Sequence, residues 1–221
     1  MFDLYLITPD GEAGRLCAMI ERALTAAPPG RVAVQLRSPA SRGSGRRELA
    51  HRLRTITARA GAPLLISADP ELALQVSADG VQLPERGPSV TEARRILGDH
   101  GLIGASRHDL AGAQAAARAG ADFLLLAPVF EVPGKGEGLG EAGLERLTAA
   151  VRAPVVALGG IGPGRVGPAL HAGASAVAAL RHVAGAPDPA AATAALLSEV
   201  DRVRRQIAAT ARSRTLGSTD E

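Results

Sequence analysis

The chain has 221 residues, of which 46% are hydrophobic, 2% aromatic and 21% charged, and its formal net charge is +3. This hydrophobic content supports a folded core and excludes a globally disordered chain. Acidic residues are interleaved with the arginines and aromatic residues are scarce, so the sequence lacks the basic stripe and stacking side chains of a nucleic-acid-binding protein. No apolar run reaches the roughly 18 residues that a membrane span needs.

One cysteine and the first residues bear on the cellular compartment. Cys17 lies in an apolar helical pattern with Leu16, Ile20 and Leu24, which predicts a small core residue rather than a nucleophile. A single cysteine forms no internal disulfide, as is typical of a reducing compartment. The chain enters directly into Phe2–Thr8, without the basic region and cleavage site of a secretory signal. We expect a cytoplasmic protein.

Short apolar segments alternate with longer segments rich in Ala, Arg, Glu and Leu along the whole chain. The short segments are apolar on both faces, which is typical of parallel strands covered by helices. The predicted strands are Leu4–Thr8, Val32–Arg37, Pro63–Ser67, Gly80–Leu83, Leu102–Ser106, Phe123–Pro128, Pro154–Leu158 and Ala174–Leu180. The predicted helices are Glu12–Ala27, Arg46–Ala60, Asp69–Ser77, Ser89–Gly98, Asp109–Ala119, Gly140–Val151, Gly164–Ala172 and, at the end, Ala190–Ala209.

Local signals support several of these helix ends. Ser89 stands three residues before Glu92, a spacing that resembles a capping box, and Asp109 is a suitable N-cap. Glycines follow three of the helical runs, at Gly98, Gly120 and Gly173.

Eight strand–helix units in about 200 residues predict a single closed (β/α)8 barrel, the TIM barrel. An open doubly wound sheet is the alternative, but it uses fewer strands and a glycine-rich first turn, which Thr8–Glu12 lacks. We therefore expect one barrel domain over residues 1–210. Residues 211–221 are polar and predict a disordered tail.

Active sites of such barrels form at the carboxyl ends of the strands. Gln35 and Arg37 lie two apart on strand 2 and therefore share a face. Lys135, in the loop after strand 6, is the only lysine of the chain, which suggests a position that needs a compact, titratable ammonium. The other candidates at strand ends are Ser67, Gln82, Ser106, Arg107, His108, Glu131, Gly159, Gly160, Leu180 and Arg181.

Two features predict a phosphate-bearing ligand and proton-transfer chemistry. The Gly159–Ile161 turn after strand 7 lies beside the Leu180–Arg181 turn after strand 8, and these two loops are the usual phosphate site of this fold. His108 is the best general acid–base candidate because an ordinary imidazole titrates near neutrality. Glu131 is either a second acid–base group or a loop carboxylate paired with Lys135. No spacing of His, Cys, Asp and Glu resembles a transition-metal site, and the remaining histidines are interpreted as surface or packing residues, at His51, His100, His171 and His182.

An ordered set of motifs resembles the thiamine phosphate synthase/TenI superfamily of barrels over roughly Leu4 to Pro189. The synthases of this superfamily join a pyrimidine pyrophosphate to a thiazole phosphate with Mg²⁺. TenI-type members bind a thiazole phosphate and catalyse an aromatising tautomerisation with a histidine just after strand 5. The motifs are Leu4–Thr8, Val34–Arg37, Ala78–Leu83, Gly104–His108, Gly120–Phe123, Pro128–Phe130 with Lys135, Val156–Ile161 and Ala172–Ala174.

The sequence departs from the synthase pattern at the positions that bind pyrophosphate and metal. Where the resemblance implies an Asn-Asp pair after strand 3, the chain has Ser67 and Ala68, and Gly87 replaces a metal-binding Asp after strand 4. The expected lysine after strand 2 is Pro39, and Arg181 replaces a serine. Magnesium prefers oxygen ligands, chiefly carboxylates, so these changes weaken the case for a synthase.

The resemblance therefore implies a TenI-like thiazole tautomerase that needs no cofactor, with His108 and Lys135 catalytic. The substrate-binding residues would be Gln35, Arg37, Ser106, Gly159, Gly160, Leu180 and Arg181. One alternative is a Mg²⁺-dependent thiamine phosphate synthase in which Asp69 and Glu85 replace the missing carboxylates. Another is a non-catalytic regulator or carrier that binds a thiazole or thiamine phosphate. The expected partner is a small-molecule thiazole phosphate, and the sequence leaves a homo-oligomer open.

Overall fold

The computed structural model describes residues 1–38 and 43–216. Its eight strands are all parallel and pair in sequence order, and the eighth pairs back with the first. The predicted (β/α)8 TIM barrel is thereby confirmed. The strands are β1 (Leu4–Ile7), β2 (Val32–Leu36), β3 (Leu64–Ser67), β4 (Gly80–Leu83), β5 (Leu102–Arg107), β6 (Phe123–Leu126), β7 (Val155–Leu158) and β8 (Ala176–Ala179).

Helices follow the strands in turn and cover the outside of the barrel. Within the described ranges they are α1 (Ala13–Leu24), α2 (Gly43–Arg59), α3 (Pro70–Gln75), α4 (Val90–Leu97), α5 (Leu110–Arg118), α6 (Gly140–Ala150), α7 (Val166–His171), α8 (Arg181–Ala184) and α9 (Pro189–Leu216). Their apolar faces pack on the aliphatic outer face of the strands. None of the described helices is long and apolar enough to cross a membrane.

Helix ends agree with the sequence at the caps and differ at the carboxyl terminus. Ser89 and Asp109 accept hydrogen bonds from the backbone N–H groups three residues ahead, which confirms both predicted N-caps. The short helix α8 was not predicted. Helix α9 extends to Leu216, beyond residue 210, where the barrel domain was expected to end. The sequence has neither Gly nor Pro between Ala190 and Leu216, and polar residues alone do not end a helix. Residues 217–221 lie outside the described residues.

The inside of the barrel is filled by side chains that alternate along each strand with those facing the helices. Three of the few aromatic residues gather there: the rings of Phe2 and Tyr5 stack at 5.2 Å, and Phe123 meets both edge-on. Gly104 makes room for them, because a Cβ at this position would lie 2.3 Å from the Phe123 ring. Cys17 is buried in the outer aliphatic layer, as predicted.

An arginine network closes the amino-terminal end of the barrel, opposite the strand ends that carry the candidate site. Arg31, just before β2, donates two hydrogen bonds to Asp201 of α9 and one to Asp3, just before β1. Arg204 of α9 pairs with the other oxygen of Asp3 and donates to the Ser175 carbonyl before β8. The last helix is thereby tied to strands β1, β2 and β8 where the barrel closes.

This network predicts a pH-dependent contribution to stability. Hydrogen bonding to Arg31 lowers the pKa of Asp201, so the carboxylate stabilises the fold above the ordinary pKa of Asp and stops doing so as pH falls through the lowered value. We expect Asp201→Asn to reduce the free energy of unfolding by about 1 kcal/mol at pH 7, the scale of a solvent-screened pair. The difference from wild type should shrink below about pH 4.

Urea denaturation at several pH values measures both effects. Glu145→Gln is the matched control, since this exposed carboxylate forms no ion pair with a described residue. A deficit of Asp201→Asn that stays constant into the acid range would contradict the assignment of this stability to the charged pair.

Candidate functional site

A cavity of about 330 Å³ opens at the carboxyl ends of β1, β2 and β6–β8. The structure brings six of the predicted site residues together around it. They are Arg37, Lys135, Gly159, Gly160, Leu180 and Arg181. The parallel register explains this convergence, because the strands all end at the same edge of the barrel.

The lining of this cavity is cationic. Arg37, Lys135 and Arg181 carry permanent positive charge or a basic amine, and no carboxylate lies among the lining residues of the described chain. None of the three side chains forms an ion pair or hydrogen bond with a described residue, so their charges are available to a ligand. His182 also lines the cavity. It was not among the residues that the sequence indicated for this mouth.

The glycine turn after β7 needs glycine at both positions. Gly159 and Gly160 have φ angles of 104° and 66°, in the region that favours glycine. A Cβ on Gly159 would lie 2.7 Å from the Cα of Pro128. The backbone N–H groups of Gly160 and Ile161 donate no hydrogen bond to a described residue. Paired backbone donors of this kind, beside a cationic lining, suit an anion such as phosphate.

Beneath the cavity, polar side chains inside the barrel form a short chain of hydrogen bonds. The Tyr5 hydroxyl donates to Gln82 Oε1 at 3.3 Å, and Gln82 Nε2 donates to Ser106 Oγ at 3.0 Å. Burial raises the pKa of the Tyr5 hydroxyl, which therefore stays protonated and can donate. Gln35 is buried, and its Oε1 has no hydrogen-bond partner within residues 1–38 and 43–216. Gln35 and Ser106, both predicted to bind substrate, are not among the residues that line the cavity.

The backbone of Arg37 is fixed by Thr8 at the end of β1. The Thr8 hydroxyl donates to the Arg37 carbonyl at 3.0 Å and accepts from the Arg37 N–H at 2.9 Å. This reciprocal pair joins the ends of two neighbouring strands and sets where the Arg37 side chain leaves the barrel. The sequence places Thr8 at the end of a predicted strand but does not indicate its contact with Arg37.

His108, just after β5, does not line this cavity. It lines a separate cavity of about 280 Å³ together with residues of α5 and α6. Its Nδ1 is 2.5 Å from the carbonyl oxygen of Ala127, a residue that does line the cavity. A carbonyl oxygen only accepts, so Nδ1 carries the proton and Nε2 of a neutral ring holds the lone pair. Nε2 lies 3.7 Å from Oε2 of Glu85, in the loop after β4.

The two carboxylates considered as replacement metal ligands have other partners. Asp69 Oδ1 accepts from Leu72 N–H as the N-cap of α3, and its Oδ2 lies 3.6 Å from Nη1 of Arg46, whose Nη2 donates to the Ser67 carbonyl. Glu85 faces His108. Among the described residues no group of three or more His, Cys, Asp and Glu side chains is placed to hold a metal ion. Asp69 and Glu85 are thus each engaged with another side chain, on the loops after β3 and β4.

Two other sequence expectations concern this edge. Glu131 is exposed and forms no ion pair with Lys135 in the described part of the chain, so its pairing with Lys135 is not observed. Pro39, at the position of the expected lysine, lies outside the described residues.

Replacing Gly159 by alanine tests the turn. Gly159→Ala is expected to lower the free energy of unfolding by about 3 kcal/mol, because it combines backbone strain with a steric overlap. Gly120→Ala is the control, since Gly120 has a φ of 91° but a Cβ there would meet nothing within 4 Å. That variant should lose only about 1 kcal/mol.

Urea denaturation measures both losses, and calorimetric titration with a thiazole phosphate measures binding. Only Gly159→Ala should lose affinity. Equal stability losses, or unchanged binding by Gly159→Ala, would contradict the role of close backbone packing at this turn.

Comparisons with known proteins agree with the fold. The family profile described as thiamine monophosphate synthase matches residues 4–183. A putative thiamine-phosphate synthase of Geobacter sulfurreducens is 42% identical over 202 residues, which cover 89% of this chain and 93% of that protein. The thiamine phosphate pyrophosphorylase of Pyrococcus furiosus superposes with a TM-score of 0.81 at 31% identity, covering 91% of this chain and 96% of that one.

A longer relative contains the same barrel as one part. The thiamine biosynthesis bifunctional protein ThiM/ThiE of Symbiobacterium thermophilum is 44% identical over 165 residues, which are 73% of this chain but only 34% of that protein. The chain thus spans about a third of this relative and nearly all of the single-barrel relatives. It belongs to the thiamine monophosphate synthase family, within the superfamily that unites thiamine phosphate synthases and TenI-type barrels.

Proposed function

We propose that this barrel is an isomerase-type member of the family, which binds a thiazole phosphate bearing a carboxylate and shifts one proton on it. The observation that carries the proposal is the imidazole of His108, anchored through Nδ1 at the barrel mouth with Nε2 making no hydrogen bond to a described residue. A tautomerisation requires one group that takes and returns a proton, and an imidazole with a free lone pair is suited to that task.

The proton would move between the substrate and one ring nitrogen. Nε2 of neutral His108 removes a proton from one substrate atom, and the imidazolium returns it to another, so no atom is gained or lost. The hydrogen bond to the Ala127 carbonyl keeps the ring in one orientation and one tautomer during the transfer. Such a positioned acid–base group contributes about 10²- to 10⁴-fold to a rate.

The anionic ends of the substrate would be held by the cationic side of the mouth. The backbone donors of Gly160 and Ile161, with Arg181 beside them, suit the phosphate group. Arg37 or Lys135 would pair with the carboxylate. Ala127, which follows β6, lines the cavity and contacts His108, so a thiazole ring bound in the cavity would lie near this histidine.

A thiamine phosphate synthase is the second candidate, and the names of the relatives favour it. Against it stand Ser67, Ala68 and Gly87, where the resemblance implies oxygen-rich ligands, and the engagement of Asp69 and Glu85 with other partners. This candidate requires Mg²⁺, whereas the isomerase does not. Cytoplasmic location and pairing into a homo-oligomer remain predictions.

Single-turnover assays with both substrate sets separate the candidates. One set is the thiazole carboxylate phosphate tautomer, and the other is pyrimidine pyrophosphate plus thiazole phosphate, each with Mg²⁺ or with EDTA. We expect conversion of the tautomer at the same rate in both conditions, and a loss of about 10²-fold or more in His108→Ala, because the variant lacks the proton acceptor.

His100→Ala is the matched control, since that exposed histidine lies at the far end of the barrel, before β5, and should leave the rate unchanged. Mg²⁺-dependent release of pyrophosphate would overturn the proposal in favour of the synthase. Thiazole phosphate binding without turnover in either assay would instead identify a carrier or regulator.

A further inference from the structure

Among the described residues, His108 has one charged partner, the Glu85 carboxylate in the loop between β4 and α4. Oε2 of Glu85 lies 3.7 Å from Nε2 of His108, and the two side chains are 45% and 55% exposed. The resemblance to the family assigns Glu85 no role, and the sequence suggested it only as a substitute metal ligand. The pair joins the loops after two neighbouring strands at the rim of the mouth.

The distance leaves the reacting nitrogen open. A separation of 3.7 Å is too long for a direct hydrogen bond, so Glu85 does not occupy the lone pair of Nε2. The Ala127 carbonyl already holds the other nitrogen at 2.5 Å. The ring is therefore fixed at one edge and accessible at the other, with a negative charge beside the accessible edge.

A carboxylate in this place acts differently before and after proton transfer. Neutral His108 has no net charge for Glu85 to attract, whereas the imidazolium formed by proton uptake does. An interaction that grows during the reaction lowers the barrier instead of merely tightening binding. Glu85 keeps its own charge throughout, and the proton travels only between the substrate and Nε2.

Three other charged groups lie near His108, and one of them, Arg146 of α6, lines a second cavity together with this histidine. The other two have partners of their own. Asp109 Oδ1 accepts from Gly112 N–H as the N-cap of α5. Arg107 Nη1 donates to the Ser106 carbonyl. The cationic residues that line the cavity follow β2, β6 and β8, whereas Glu85 follows β4. The negative charge of Glu85 is therefore on a different loop from each of these cations.

We propose that Glu85 is a positioning residue that acts through His108: the Ala127 carbonyl orients the ring, and the Glu85 carboxylate stabilises the imidazolium that proton uptake creates. This inference rests on the proposed isomerase function. A purely structural role would affect folding or substrate binding, whereas this role affects the turnover step through charge.

The test compares Glu85→Gln with wild type at saturating thiazole carboxylate phosphate tautomer. Glutamine keeps the size of the side chain and removes its charge. We expect kcat to fall about fivefold, the scale of a half-exposed ion pair, with KM nearly unchanged. Raising NaCl from about 0.1 M to about 1 M shortens the Debye length from about 10 Å to about 3 Å, so wild-type kcat should fall toward that of the variant, whose own kcat should not respond.

Three further variants make the outcome decisive. Glu85→Asp keeps the charge and should recover part of the lost kcat. Glu92→Gln, an exposed carboxylate in the first turn of α4, should match wild type at both salt concentrations. If His108→Ala abolishes turnover while Glu85→Gln matches wild type, or responds to salt as wild type does, the role of Glu85 is refuted and the isomerase stands. If His108→Ala leaves turnover intact, the proposed function itself fails.

Discussion

The register of the closed barrel is the constraint on which the rest of the structure depends. Pairing of β8 with β1 leaves no sheet edge, and the alternation of side chains along eight parallel strands then decides which residues face inward. Gln35 and Arg37 leave β2 on the inner side, and Ser106 and His108 do the same at β5. A shift of one residue in either strand would turn these side chains toward the helices. Function at the mouth is thus a consequence of how the barrel closes.

The two ends of the barrel use charge for different purposes. At the amino-terminal end, Arg31 is saturated by carboxylates and ties the last helix to the barrel, so its charge serves stability. At the mouth, the charged side chains of Arg37, Lys135 and Arg181 form no ion pair with a described residue, so their charge remains for a ligand. Unpaired cations around a cavity cost stability through mutual repulsion, and a bound phosphate would relieve it. Paired charges thus stabilise the amino-terminal end of the barrel, and unpaired cations are concentrated at the end that carries the candidate site.

The sequence predicted the barrel, its strand order and six of the residues that line the cavity, because short apolar runs and strand-end residues follow directly from a repeated pattern. It did not predict contacts set by loop direction. His182 was interpreted as a surface or packing residue, because the sequence pattern around a single histidine near a helix end does not show which way its side chain points. The pairing of Glu85 with His108 depends on the path of a loop after Pro84, which residue types do not determine. The aromatic cluster of Tyr5 and Phe123 inside the barrel was equally hidden, since it depends on the room left by one glycine.

The proposed chemistry requires one ligand to reach from the glycine turn after β7 to His108 at the end of β5. A crystal structure with bound thiazole carboxylate phosphate tests it most directly. We expect the phosphate oxygens to accept hydrogen bonds from the N–H groups of Gly160 and Ile161. The thiazole ring should lie within hydrogen-bond reach of His108 Nε2. A phosphate bound away from the glycine turn, or a thiazole ring that Nε2 cannot reach, would contradict it.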